Sequence, residues 1–125
     1  MQIALKVLVG LIGLLLASLG VRWVFAPASI AAELGITLGD ATAFNTARGD
    51  LGGLFIAGAL LCALGLVRDD GRWLQSIALV LGCVAAGRFV GVVADGFTPT
   101  AGVSIAVELV MLTVLLLAAR RISKP

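Results

Sequence analysis

Histidine and tyrosine are absent from the 125 residues, and cysteine occurs only as Cys62 and Cys83. Without imidazole the chain lacks the commonest metal ligand and the side chain that ordinarily titrates near neutrality; without tyrosine it lacks a further proton donor. No metal, no cofactor and no catalytic residue is therefore expected, and the chain is read as a non-enzyme. Charge is scarce as well: Lys and Arg number nine, Asp and Glu seven, and together they make up 13% of the residues. Basic residues so few and so scattered form no stripe that follows a phosphate backbone, so nucleic acid is not an expected partner.

What the chain has in abundance is apolar surface. Hydrophobic residues are 61% of the total and mean hydropathy is +1.16, against roughly half apolar and about a quarter charged in a soluble domain. This is the composition of a membrane protein. Four runs match the roughly 20 residues that cross a hydrocarbon core, at about 7–25, 43–67, 73–94 and 101–119. Each must be helical, because backbone groups in lipid find partners only within their own segment. The expectation is an all-α integral membrane four-helix bundle, a single transmembrane domain over 1–125. The first run has the outline of a leader, with Lys6 before it and small residues near Ala26, but is read as a retained span.

Basic residues outside the runs set the expected orientation. Lys6, the loop residues Arg68 and Arg72, and the tail residues Arg120, Arg121 and Lys124 all fall on one side, which the positive-inside rule makes cytoplasmic. A multi-pass protein of a bacterial cytoplasmic membrane with both termini in the cytosol is expected. On the opposite side, Pro27 opens a short interfacial helix through Leu34 that Gly35 can end. Asp40 is a natural N-cap for the second run, although Gly49, Gly52 and Gly53 put the regularity of that helix in question before Leu51. Small residues at helical spacing, among them Gly20, Gly49, Gly53, Gly87 and Gly91, are read as close helix contacts. Cys62 and Cys83 would lie about 7 Å apart in depth, too far for a disulfide.

The chemistry lies in charges inside the runs. Counted from Thr98, Arg88 is ten residues back and Glu108 ten forward, so antiparallel helices bring them to one depth. A lone arginine at mid-bilayer costs about 2.5–3.5 kcal/mol on insertion scales, and pairing relieves that cost. The same count about Asp70 sets Asp50 level with Val90, making Asp50 a second partner for Arg88. Asp95 lies two turns from Arg88 on the same stripe, and Arg48 with Asn45 enters at the same outer level. Arg48, Asp50, Arg88, Asp95, Glu108 and Asn45 form the candidate ligand-binding or buried-charge site, while Arg22 near the end of its run reads as an interfacial anchor. A segment SIAAEL at 29–34 recurs as SIAVEL at 104–109, each after an arginine that precedes an aromatic. In so biased a composition this repeat alone establishes no duplication.

Four segments, FAP at 25–27, NTARGDLGG at 45–53, GRFVGVVADG at 87–96 and VEL at 107–109, give the chain a resemblance to small bacterial four-helix membrane proteins known as domain of unknown function 4345. The resemblance covers almost the whole chain. It implies the fold and the charged site without supplying an activity. The expected role is a binding protein or accessory subunit whose charge cluster, in the outer half of the bundle, holds a lipid-like or small amphiphilic ligand or docks a partner. Membrane lipids and a homo-oligomer or larger membrane complex are the expected partners. The alternative is a proton-coupled or small-solute transporter acting as an oligomer, which the lack of charge in the cytoplasmic halves disfavours.

Overall fold

The computed structural model describes residues 1–122, which are almost wholly helical and contain no strand; Lys124 of the expected basic tail lies outside them. The elements are α1 (Gln2–Phe25), α2 (Pro27–Glu33), α3 (Ala41–Thr46), a π-helical turn (Ala47–Gly52), α4 (Gly53–Arg68), α5 (Gly71–Asp95) and α6 (Pro99–Ile122). α3, the π turn and α4 run on as one segment, and the described residues thus hold four helices long and apolar enough to cross a membrane: Gln2–Phe25, Ala41–Arg68, Gly71–Asp95 and Pro99–Ile122. Contacts group the chain into two compact units, one of residues 11–60 and one of residues 1–10 with 61 onward.

In the first of these units, Trp23, Ile30, Ala31 and Ala47 form the buried core, with Leu19, Leu38, Leu51 and Phe55 packed against it. The hydrophobic effect adds little between helices in lipid, so close approach has to supply the packing energy. Gly20 and Gly52 provide it: a Cβ on Gly20 would lie 2.6 Å from Ile56 Cγ1 and 2.9 Å from its backbone nitrogen, and one on Gly52 2.8 Å from Val24 Cγ2. Gly49, Gly53, Gly87 and Gly91 behave otherwise than expected, since a Cβ on any of them would meet nothing within 4 Å. Helical spacing identifies small residues on one face but not which face meets a neighbour.

The short helix α2 appears where expected. Pro27 occupies its first turn, where a missing N–H costs nothing. It ends in a Schellman arrangement, with the Ile36 N–H donating to the Ala31 carbonyl and the Gly35 N–H to that of Ala32. Gly35 takes φ +70°, a conformation that costs glycine least. Ile30 is buried, whereas Leu34, placed on the same face by helical spacing, is exposed, because the helix has already ended there. Asp40 caps α3 by accepting from the Ala43 N–H at 2.8 Å, so the second segment starts early, and its glycine-rich stretch is the π turn.

In the second unit, α5 and α6 are antiparallel neighbours. α5 buries Leu74, Ile77, Ala78, Leu81 and Ala85, and α6 buries Ile105, Met111, Leu115, Ala118 and Ile122, both at the three-to-four spacing of one helix face. Basic residues gather at the end formed by the start of α1, the α4–α5 turn and the end of α6. There Lys6 pairs with Asp69 at 2.5 Å, Gln2 donates to the Arg121 carbonyl at 3.0 Å, and the Arg68 guanidinium stands 5.7 Å from the centre of the Trp73 ring. Asp70 caps α5 and takes Arg72 in an ion pair at 2.8 Å. The Arg72 side-chain hydrogen bond holds the Asp70 carboxyl below the usual aspartate range. Cys62 and Cys83 are free thiols, the first buried and the second exposed.

Candidate functional site

The site is assembled by the turn between α5 and α6. Gly96 takes φ +99°, and Thr98 caps α6 by accepting from the Ala101 N–H at 3.1 Å, one residue before Pro99 starts that helix. Short and capped, this turn fixes the register of the two helices. Arg88 extends the buried stripe of α5 by one further step after Ala85, and Glu108 sits within the stripe of α6 between Ile105 and Met111. Two helix faces that pack together thus each present one charge at the same level, and Arg88 Nε donates to Glu108 Oε1 at 2.7 Å.

The partners differ in their surroundings. The Glu108 side chain is only 10% exposed and that of Arg88 39%. The second oxygen, Glu108 Oε2, is buried with no hydrogen-bond partner among the described residues, a deficit worth about 1–3 kcal/mol. Arg88 has spent one N–H on Glu108, and a guanidinium has four more to offer. Its neighbours Gly87 and Gly91 leave one flank unobstructed, since a Cβ on either would meet nothing within 4 Å. The arrangement combines an accessible cation, a fixed counter-charge and an unsatisfied acceptor.

The other expected site residues take separate places. Arg48 Nη1 donates to the Val24 carbonyl, one of the carbonyls left over at the end of α1, where a cation also suits the helix dipole. Asp50 lies in the π turn, exposed, and lines a cavity of about 590 Å³ with Asp40, Thr42 and Thr46 between Leu38 and Leu51. Asp95 and Asn45 are exposed. Among the described residues Asp50 and Asp95 join no ion pair, and the Asn45 side chain makes no hydrogen bond. No group of three or more acidic or cysteine side chains placed to hold a metal occurs there either. A second pair that the count of spans does not reveal joins Arg22 Nη2 to Glu33 Oε1 at 2.5 Å, so Arg22 is more than an anchor. The signal for it was the repeated SIA-x-EL segment, which carries a glutamate in each copy. The Trp23 indole N–H, buried beside Arg22, has no acceptor among the described residues.

No curated protein and no solved structure matches this sequence. A family model does, across residues 4–119 and hence across all four long helical segments and both Arg–Glu pairs: the chain belongs to the family described as domain of unknown function (DUF4345).

Proposed function

We propose that this small membrane protein is a binding protein or accessory subunit that holds the head group of an amphiphile at Arg88 and Glu108. The observation that carries the reading is the unpaired Glu108 Oε2 beside a guanidinium that is 39% exposed. The free oxygen calls for a hydrogen-bond donor, and the remaining guanidinium N–H groups call for an anion. A zwitterionic phosphoethanolamine head group supplies both, its phosphate on Arg88 and its ammonium towards Glu108. A bare anion fits less well, because the ion pair is already neutral overall.

The role is one of holding rather than catalysis. The basic end gathered by Lys6, Arg68, Arg72 and Arg121 supports a cytosolic placement of both termini in a cytoplasmic membrane; the site then opens towards the outer leaflet, Arg88 lying about 10 Å from the end of α5. The test is native mass spectrometry of the chain released from vesicles of phosphatidylethanolamine, phosphatidylglycerol and phosphatidylcholine. The wild-type chain retains phosphatidylethanolamine in preference to the other two, and Arg88→Ala loses it. Equal retention by wild type and R88A would remove the proposed site.

A further inference from the structure

Two stretches of the chain spell one series at different lengths. The first reads Arg22-Trp23-Val24, then Phe25 and Pro27, then SIAAEL from Ser29 to Leu34; the second reads Arg88-Phe89-Val90, then Phe97 and Pro99, then SIAVEL from Ser104 to Leu109. Spelling alone is weak where Ala, Ile, Val and Leu are so common. The structure adds an independent agreement: in each series the arginine pairs with the glutamate of its own copy, at 2.5 Å for Arg22–Glu33 and 2.7 Å for Arg88–Glu108. In each, too, a new helix begins on the proline, α2 on Pro27 and α6 on Pro99. The isoleucine of each copy is buried, Ile30 at 1% and Ile105 at 9% exposure. Among the described residues two buried polar atoms lack a partner, one in each copy though at different positions of the series, Trp23 Nε1 in the first and Glu108 Oε2 in the second.

The differences are differences of length, and they are matched. From arginine to the end of its helix the second copy is longer by four residues, and from proline to serine by three. At 1.5 Å per residue these add about 6 Å and 4.5 Å to the two arms. Lengthening both arms is what preserving a salt bridge across a helix turn requires. The first pair is accordingly shallow, Arg22 standing three residues from the end of α1, and the second deep, Arg88 standing seven from the end of α5.

We infer that Arg22 and Glu33 form a second head-group site of the same chemical class, nearer the membrane surface, and that the chain carries two such sites as an internal duplication. The inference rests on the reading of Arg88 and Glu108 given above. Side-chain exposures of 36% for Arg22 and 59% for Glu33 leave this pair open to a phosphate and an ammonium, so its ligand exchanges faster than the deep one.

The experiment counts phosphatidylethanolamine molecules on the full chain by native mass spectrometry after release from vesicles of phosphatidylethanolamine and phosphatidylglycerol, with far-UV circular dichroism to confirm helix content. Two are expected on the wild type, one on Arg22→Ala, one on Arg88→Ala and none on the double variant. Glu33→Gln, which keeps the side chain's size, should match R22A. If R22A and E33Q retain the wild-type number while R88A loses a lipid, the second site is refuted and the deep one stands. If R88A retains the wild-type number, the deep site falls and the inference falls with it.

Discussion

Replacing Arg88 by Met removes the only hydrogen bond that the described residues give to Glu108, a carboxylate whose side chain is 10% exposed and whose other oxygen is already unpaired among them. Both oxygens of Glu108 then stand between helices without a donor. Breaking a buried pair in this way costs about 3–5 kcal/mol. The reverse change is milder: in Glu108→Leu the arginine left behind is 39% exposed and extends its long side chain towards the membrane surface, so the loss falls closer to the roughly 1 kcal/mol of an exposed pair. Removing both charges leaves nothing unpaired, and the double variant R88M/E108L should come within about 1 kcal/mol of wild type. The assay is a double-mutant cycle on reversible unfolding in mixed detergent micelles, followed by far-UV circular dichroism. Additive losses, with a coupling below about 0.5 kcal/mol, would refute the reasoning, because the two groups would then be independent. An R88M variant as stable as wild type would do the same.

Packing gives a second expectation: Gly20→Ala and Gly52→Ala overpack against Ile56 and Val24 and lose about 1–3 kcal/mol, whereas Gly53→Ala, with open space around it, stays within about 0.5 kcal/mol of wild type or gains; melting temperatures in detergent separate the two classes. Asp40→Ala removes the cap on the Ala43 N–H and should cost about 0.5–2 kcal/mol, seen as faster hydrogen exchange in the first turn of α3. Asp70 has its pKa lowered in the folded chain chiefly by the Arg72 hydrogen bond; its contribution is therefore fully present above the ordinary aspartate pKa and is lost as pH falls through the lowered one. An acid titration of helix content with Arg72→Ala as comparison checks the sign, since the variant should lose the low-pH part of the transition. In detergent, a maleimide should label Cys83 and spare Cys62, as their exposure dictates; equal labelling would show that α4 does not bury Cys62.

Much of this chain is local in origin. Runs of about 20 apolar residues have one way to satisfy their backbone in lipid, so the four long helices follow from composition and length. The caps are equally local: Asp40, Pro27 with Gly35, and Thr98 with Pro99 act on backbone groups a few residues away. A short turn carries that local information one step further, which is why counting from Thr98 puts Arg88 opposite Glu108.

Beyond the reach of a short turn, sequence ceased to decide. Arg48, Asp50 and Asp95 share a level with Arg88 by residue counting, yet depth says nothing of direction around a helix axis, and the π turn at Ala47–Gly52 adds an irregularity that regular 3.6-residue counting omits. Tertiary packing sent Arg48 to a spare carbonyl of α1, brought α2 back against Trp23 so that Arg22 meets Glu33, and chose which glycines touch a neighbour. Backbone hydrogen bonding is satisfied within a helix and can be read along the chain; the azimuth at which two helices meet is set by the side chains of both, and only the folded structure holds them together.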